Sequence, residues 1–222
     1  MSDLTLIIPA KNEKESLPKV LDELAKFDLK KNIILEPSDK HTIEAIKTYD
    51  CKIIFQDSKG YGDALKKGIE TVETEFFCIF NADGSFDPKE LDLMFKKLRG
   101  DKYDFVFASR YEKNCGSDDD TFITFIGNYI FTYLGKILFK LNISDILYTY
   151  VMARTSCAKK LNLTAKDFSF CVELPIKAKR ADYKISTSKS YERSRIAGKK
   201  KVNAFRDGLK ILFSMIKLFF RN

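Results

Sequence analysis

The chain has 222 residues, of which 45% are hydrophobic and 32% charged, as is typical of a soluble globular protein that buries a sizeable core. Its five cysteines are widely spaced, no CxxC pair occurs and only one histidine is present. Neither a disulfide framework nor a structural zinc site is therefore expected, and a reducing cytoplasm is the natural compartment. Since the N-terminus lacks a basic leader and no run of 18 apolar residues occurs, neither a signal peptide nor an ordinary transmembrane helix is expected.

The net charge of +8 is concentrated in the C-terminal fifth of the chain. From Arg180 to the end, 12 Lys or Arg residues face 3 Asp or Glu residues, whereas the first 179 residues hold 27 basic and 28 acidic groups. A membrane surface and nucleic acid are the obvious partners for such a tail. Nucleic acid is not expected, because stacking aromatic residues are not interleaved with these charges, apart from Tyr191.

The first 110 residues alternate strand-like and helical segments. Strands are expected at residues 4–8, 32–35, 52–55, 76–80 and 103–108. Asn12 and Glu15 have the spacing of a capping box for the first helix, and Ser38 is placed to cap the second. A third helix is expected at residues 62–72, and Asp87 opens a fourth. This alternation predicts a mostly parallel sheet with right-handed crossovers.

The run FCIFNADGSFDPKEL, residues 77–91, is the most informative stretch. An apolar strand leads directly into Asn81, Ala82 and Asp83, which places a carboxylate at the carboxyl end of the strand, where open α/β sheets bind ligands. Mg²⁺ and Mn²⁺ prefer one or two carboxylates together with phosphate oxygens. We interpret the run as a sugar-nucleotide site. The alternative is a surface aspartate in an ordinary turn.

Beyond Arg110 the pattern changes. Residues 121–143 are largely aromatic and aliphatic, and Lys136 and Lys140 are their only charged members. We favour a buried helix or helix pair, and the alternative is an apolar wall for a lipid acceptor. A further helix is expected at residues 170–180, followed by an extended segment at residues 184–191.

The last helix carries a narrow polar stripe. Between Arg206 and Arg221 the polar residues fall at positions 206, 207, 210, 214, 217 and 221, with spacings that align them on one side of a helix. A core helix with one solvated edge would show this pattern, and so would a helix lying in a membrane interface. The terminal position and the basic stripe favour the membrane, so we expect peripheral association through residues 202–222.

Seven segments, in order, resemble family 2 glycosyltransferases, particularly the polyprenyl-phosphate type typified by dolichol-phosphate mannose synthase. The segments are IIPAKNEKESL, IILEPSD, KGYGDALKKGI, FNADGSFDP, FASRY, FSFCVELPIKAKRADYKI and ERSRIAGKKK. The resemblance implies an α/β GT-A fold, that is, a Rossmann-like, mostly parallel sheet flanked by helices, with a C-terminal amphipathic helix. It implies one domain over residues 1–222, with a nucleotide-sugar half at 1–110, an acceptor half at 111–201 and an interface helix at 202–222.

The implied activity is transfer of a sugar, with inversion and a Mg²⁺ or Mn²⁺ cofactor, from a nucleotide-sugar donor to a membrane-linked acceptor. The acceptor would be a polyprenyl phosphate or a glycan intermediate, and the enzyme would lie in the cytoplasm, on the inner face of the membrane. The basic stretch at residues 193–201 favours a phosphate, which is already ionised at neutral pH because its second pKa is about 6. The alternative is a non-catalytic protein that binds sugar nucleotides or the membrane surface.

The resemblance also assigns site residues. Those implied for donor binding are Pro9, Ala10, Asn12, Glu13, Glu36, Asn81, Ala82 and Asp83, with Asp83 as the metal ligand. Asp145 and Glu173 are the candidate bases for a hydroxyl acceptor. Arg193 and Arg195, together with residues 199–201, would face phosphates.

The chain departs from the family pattern at several of these positions. Asn81 stands where the first Asp of an Asp-x-Asp motif is usual, and Glu36 begins a Glu-Pro-Ser run in place of Asp-Asp-Gly-Ser. Residues 147–152 replace a Gly-Phe-Arg segment. Asp118, Asp119 and Asp120 occupy a loop where many relatives carry an Arg. The donor nucleotide therefore does not follow from the family pattern.

Overall fold

The computed structural model describes residues 1–100, 102–198 and 200–220. Its strands are β1 Leu4–Pro9, β2 Lys30–Leu35, β3 Lys52–Phe55, β4 Phe76–Ile79, β5 Phe105–Ser109, β6 Gly116–Ser117, β7 Val151–Arg154, β8 Ile185–Lys189 and β9 Tyr191–Glu192. Its helices are α1 Leu17–Leu24, α2 Lys40–Ile46, α3 Tyr61–Thr71, α4 Leu91–Gly100, α5 Phe122–Phe139, α6 Thr155–Lys159, α7 Phe170–Arg180 and α8 Ala204–Phe220.

Seven strands form one sheet in the order β3-β2-β1-β4-β7-β5-β8. All neighbouring pairs are parallel except those of β7, which runs antiparallel to both β4 and β5. The predicted mostly parallel sheet flanked by helices is therefore confirmed. Because the chain leaves β1 towards β2 on one side and later returns to pair β4 on the other, the carboxyl ends of β1 and β4 flank a topological switch point.

Apolar side chains cover both faces of this sheet. Ile7 and Ile34 pack with α3 on one face, and Leu6 and Ile8 pack with α1 and α4 on the other. Burial on both faces explains why the strands read as nearly continuous apolar runs. β7 and β8 come from the predicted acceptor half, so both halves contribute to a single sheet.

The first two helices begin later than predicted. Asn12 has a φ of +54°, in the left-handed region, and its N–H donates to Asp39 Oδ2 at 2.7 Å. An N-cap normally has extended backbone, so the predicted capping box at Asn12 is wrong, and α1 begins at Leu17. Asp39 rather than Ser38 caps α2.

The apolar segment after residue 120 forms one helix, α5, in which half of the residues are exposed and three are buried. Its buried residues are Asn128, Gly135 and Phe139, whereas Phe122 is 77% exposed. The favoured interpretation as a buried helix or helix pair is therefore wrong. In the described part of the chain, α5 is the one helix whose length and composition would allow it to cross a membrane. Such a helix was not expected from the sequence, because no run of 18 uninterrupted apolar residues occurs.

Helix α8 has the predicted stripe, but only part of it faces the protein. Asp207 is buried and Lys210 is half-buried, whereas Arg206 and Lys217 are exposed, as are Phe213 at 66% and Phe220 at 80%. The favoured role as a membrane-interface helix stays a prediction. Arg221, the last predicted member of the stripe, lies outside the described residues.

Candidate active site

A cleft of about 640 Å³ opens at the carboxyl ends of β1 and β4. Pro9 and Ala10 at the end of β1 line one part of it, and Asn81, Ala82 and Asp83 after β4 line the adjacent part. The sequence predicted this placement from the strand that ends just before Asn81. The connections from β1 and from β4 turn to opposite sides of the sheet, and this leaves a crevice between the carboxyl ends of the two strands.

Asp83 is held in a tight turn. Its Oδ1 accepts hydrogen bonds from Ser85 N at 3.0 Å and Ser85 Oγ at 2.7 Å. Gly84 has a φ of +83°, and a Cβ on it would lie 2.4 Å from Ile196 Cδ1, so the turn requires glycine. The other carboxylate oxygen, Oδ2, lies 3.7 Å from Arg195 Nη1 and faces the cleft with it.

The residues around Asp83 fit a divalent cation only if the ligand supplies further oxygens. No group of three His, Cys, Asp or Glu side chains that could hold a metal occurs among the described residues. Asp83 offers one carboxylate and Asn81 one amide oxygen. Mg²⁺ is commonly bound by one or two carboxylates plus substrate phosphates, so the donor set suits a cation that arrives with a diphosphate.

Two further carboxylates predicted for donor binding line the cleft, and each is paired with a lysine. Glu36 accepts a hydrogen bond from Lys11 Nζ at 3.0 Å. Glu13 is buried, accepts from Ser16 Oγ at 2.5 Å and forms an ion pair with Lys201.

Asn12 lies apart from the main cleft. It lines a small adjoining cavity of about 80 Å³, which it shares with Glu36 and Asp39. Its backbone is committed to Asp39. A direct donor contact by Asn12 therefore stays a prediction.

A basic segment, described at residues 193–198 and 200–202, lies between β9 and α8 and brings Arg195, Lys200 and Lys201 to the cleft. Arg195 Nη2 lies 2.8 Å from Asp119 Oδ2, and Lys200 Nζ lies 3.2 Å from the same oxygen. Burial would raise the pKa of Asp119, but hydrogen bonds and charge from these two cations outweigh it, so the pKa is lowered. Lys199 lies outside the described residues, Lys200 and Lys201 line the cleft, and their contact with phosphates stays a prediction.

Asp145 is buried beneath the cleft in a network that the sequence did not predict. Arg110 donates from Nε to Asp145 Oδ2 at 2.7 Å and from Nη2 to Oδ1 at 3.0 Å. Asn128 Nδ2 also donates to Oδ1, at 2.6 Å, while Arg110 Nη1 donates to Glu192 Oε2 at 2.9 Å. Because both oxygens of Asp145 are committed, the contacts argue against the predicted role as a base and favour positioning of Arg110 in the cleft wall.

Glu173 does not line the cleft. Its carboxylate accepts from the backbone N–H groups of Thr164 and Ala165 and pairs with Lys177 at 2.8 Å. Burial would raise the pKa of Glu173, but the hydrogen bonds from Lys177 and the two N–H groups lower it. The geometry gives Glu173 a structural role, fastening the preceding loop to α7, and argues against catalysis. Its (i, i+4) spacing to Lys177 was the available sequence signal.

Arg193 is also engaged elsewhere. Its Nη2 lies 2.9 Å from Glu23 Oε2 and 2.7 Å from the carbonyl oxygen of Phe86. It therefore ties α1 to the turn after β4 and does not line the cleft. Arg195 is the member of the predicted arginine pair that the structure brings to the site.

The deep end of the cleft is apolar and was missed by the sequence reasoning. Tyr61 and Phe168 stack with ring centroids 5.0 Å apart, and Leu147 and Cys171 complete this wall. Tyr61 Oη lies 2.7 Å from Thr149 Oγ1, and burial raises the pKa of Tyr61. The altered segment at residues 147–152 was the sequence signal that this wall differs from the family pattern.

Comparison with known proteins gives consistent matches. The model of the family described as Glycosyl transferase family 2 matches residues 5–161. An uncharacterised glycosyltransferase of Mycobacterium tuberculosis is 23% identical over 200 residues, which is 90% of this chain and 89% of that protein. A dolichyl-phosphate hexose transferase of Haloferax volcanii is 24% identical over 218 residues, covering 97% of this chain and 93% of that protein.

Solved structures agree in fold. Glucosyl-3-phosphoglycerate synthase from Mycobacterium tuberculosis, in complex with Mn²⁺, uridine diphosphate and glucosyl-3-phosphoglycerate, superposes with a TM-score of 0.78 at 13% identity. The match covers 97% of this chain and 79% of that one. The same protein with Mg²⁺ and uridine diphosphate gives a TM-score of 0.77 at 12% identity, over 97% of this chain and 78% of that one.

Proposed function

This chain belongs to glycosyl transferase family 2, and we propose that it transfers a sugar from a nucleotide diphosphate donor to a membrane-linked acceptor. The observation that carries the proposal is the cleft at the β1–β4 switch point, where Asp83 lies close to Arg195 and shares the cleft with Lys200 and Lys201. A carboxylate at the end of a strand, with several cations in the same cleft, suits a diphosphate accompanied by a metal ion.

The donor would bind with its diphosphate between Asp83 and the basic segment. Asp83, with the Asn81 amide oxygen, would hold Mg²⁺ or Mn²⁺, which neutralises charge on the leaving diphosphate. Arg195 and Lys200 now pair with Asp119, and both can turn towards phosphate oxygens, which guanidinium and ammonium groups bind well. The uridine diphosphate complexes of the structural relatives support this class of donor.

Two helices support a membrane-linked acceptor. α5 and α8 pack against each other, and their outward sides form an apolar face. We define the apolar face as the exposed residues Phe122, Ile123, Ile126, Tyr129, Ile130, Tyr133, Ile137, Phe205, Leu209, Phe213, Ile216 and Phe220. Patches of this kind mark interaction surfaces, and phenol-tipped and aliphatic side chains together suit the interface of a bilayer.

The apolar face adjoins the mouth of the cleft. Thr124 and Asn128 on α5, and Val202 just before α8, all line the cleft. An acceptor held in the membrane would therefore reach the donor without leaving the lipid surface. The basic tail favours the anionic cytoplasmic leaflet, which makes this a peripheral protein of the inner face. The dolichyl-phosphate activity in the name of the Haloferax relative supports a lipid-linked acceptor.

Calorimetric titration with UDP, GDP, CDP and dTDP, each with and without Mn²⁺, tests the proposal. One nucleotide is expected to bind in the micromolar range with metal, and Asp83→Ala is expected to abolish the metal-dependent part. Asp92→Ala is the control, because Asp92 is exposed on α4 and outside the cleft. Failure of all four nucleotides to bind would overturn the proposal. If a nucleotide binds but the corresponding nucleotide sugar is neither hydrolysed nor used for transfer, the non-catalytic alternative is favoured.

A further inference from the structure

Among the residues that the structure describes, six carboxylates line the cleft, and five of them are paired with a cation. The pairs are Glu13 with Lys201, Glu36 with Lys11, Asp83 with Arg195, Asp119 with Arg195 and Lys200, and Glu192 with Arg110. The sixth is Asp120, and no Lys or Arg among the described residues forms an ion pair with it. Asp120 is therefore the exception to explain among the carboxylates of the cleft.

Asp120 is held in place by neutral hydroxyl groups. Tyr111 Oη donates to Oδ2 and Thr124 Oγ1 donates to Oδ1. Burial raises the pKa of Tyr111 more than the charge of Arg110 lowers it, so the phenol remains a donor. The Asp120 N–H donates to Ser117 Oγ at 2.9 Å, which fixes the backbone immediately before α5. Each carboxylate oxygen keeps a second acceptor site for a ligand.

The position of Asp120 relates it to the donor. Arg195 contacts Asp83 through Nη1 and Asp119 through Nη2, so one guanidinium joins the predicted metal ligand to the segment that carries Asp120. The two bases implied by the family resemblance, Asp145 and Glu173, are both committed to buried contacts outside the reach of a substrate. Asp120 is thus the remaining carboxylate in the cleft whose charge is free to take a proton.

We propose that Asp120 is the general base of the transfer and that the acceptor group is a hydroxyl, as on a lipid-linked sugar, rather than a lipid phosphate. This inference rests on the proposed function. The acceptor O–H proton passes to the Asp120 carboxylate while the oxygen bonds to the anomeric carbon. The bond from that carbon to the diphosphate oxygen breaks, and the nucleoside diphosphate leaves with the electron pair. Asp120 then releases the proton to water.

The same wall disfavours a phosphate acceptor. A phosphate carries close to two negative charges at neutral pH and needs cations around it. Arg110 already contacts both Asp145 and Glu192, and the cations beside Asp119, Arg195 and Lys200, are the ones proposed for the donor diphosphate. With Asp120 added, this wall has an excess of negative charge, which repels a phosphate but accepts a hydrogen bond from an alcohol.

The test compares Asp120→Asn with Asp118→Asn in the full chain. Asp118 is exposed, lies outside the cleft and accepts a hydrogen bond from Tyr191 Oη, so it is a matched neighbour. The donor is the nucleotide sugar selected by calorimetry, and the acceptor probes are octyl glucoside and farnesyl phosphate. Hydrolysis of the donor by water is a further readout, because water is also a hydroxyl acceptor.

Loss of a general base lowers kcat by about 10²–10⁴-fold. We expect that loss in Asp120→Asn for octyl glucoside and for water, with unchanged nucleotide affinity, and we expect no change in Asp118→Asn. Formate should restore part of the activity of Asp120→Ala, which a purely structural role would not allow. Undiminished kcat in Asp120→Asn, or transfer to farnesyl phosphate but not to octyl glucoside, would overturn this inference alone. Absence of nucleotide binding in the wild type would overturn the proposed function as well.

Discussion

Single residues around the cleft fall into two groups that look alike in the sequence. Asp83 and Arg195 lie in the cleft as predicted, whereas Asp145, Glu173 and Arg193 are bound to other parts of the protein. Motif order predicts which segment approaches the cleft but not what each side chain contacts. Arg110 meets Asp145 across 35 residues and Arg193 meets Glu23 across 170, and no local pattern encodes such pairs.

Asp145→Asn tests whether Asp145 supports the structure or performs chemistry. Removing one partner of a buried ion pair costs roughly 3–5 kcal/mol, and Asp145 and Arg110 are both largely buried. We expect the free energy of unfolding in urea to fall by about that amount. Asp57→Asn is the control, because the Asp57–Lys67 pair is exposed, and its unfolding midpoint should not move. Loss of transfer with full stability would instead support the base role.

Glu173 predicts a pH dependence of stability. Its pKa is lowered in the folded protein, so its contribution is fully present above the unfolded value of about 4.3 and is lost as the pH falls through the folded value. The stability difference between the wild type and Glu173→Gln should therefore be largest at neutral pH and shrink below about pH 4. Urea unfolding at pH 7 and pH 3 measures it, and an equal difference at both values would contradict the lowered pKa.

At the scale of elements, α8 shows what periodicity does and does not encode. The 3–4 spacing predicted the helix and its stripe, but it did not predict which side faces outward. Asp207 Oδ2 accepts from Asn203 N at 2.8 Å, and Lys210 Nζ lies 3.6 Å from Asp167. These contacts hold Asp207 and Lys210 against the protein, and the contact of Lys210 depends on Asp167, a neighbour remote in sequence.

Phe213→Asp tests the apolar face. Burying a phenylalanine contributes roughly 1.5–3 kcal/mol, so the substitution should weaken binding to phosphatidylglycerol vesicles about tenfold or more. Leu93→Asp is the matched control, since Leu93 is similarly exposed but lies on α4, away from the apolar face. Co-sedimentation with vesicles measures both variants. Equal binding by Phe213→Asp and the wild type would show that the apolar face has another partner.

At the scale of the whole molecule, the mostly parallel sheet was predictable because strand–helix alternation is a local signal repeated five times, whereas the GT-A fold was implied by the family resemblance of seven ordered motifs. The positions of β7 and β8 in the sheet were not predictable. β7 lies antiparallel between β4 and β5, and this pairing depends on contacts between residues remote in sequence. α8 is also packed into the globular domain. Ile211 and Met215 lie in the core, and Arg180 Nη2 donates to the carbonyl oxygen of Leu218 at 2.6 Å.

Deletion of residues 203–222 should therefore do more than release the protein from vesicles. Removing α8 uncovers α5 and α7, which pack against it, and withdraws Ile211 and Met215 from the core. We expect a lower urea midpoint as well as loss of vesicle binding. Phe213→Asp, by contrast, should retain the wild-type midpoint. A deletion variant of unchanged stability would show that α8 is a detachable anchor.

The apolar face has a practical consequence for handling the protein in plain buffer. Without lipid this broad hydrophobic surface is in contact with water, and two molecules that meet can shield it on each other. Dimers or larger species seen without detergent would then report missing lipid rather than a physiological assembly. Their dissociation on addition of a mild detergent, followed by light scattering, would identify them as such.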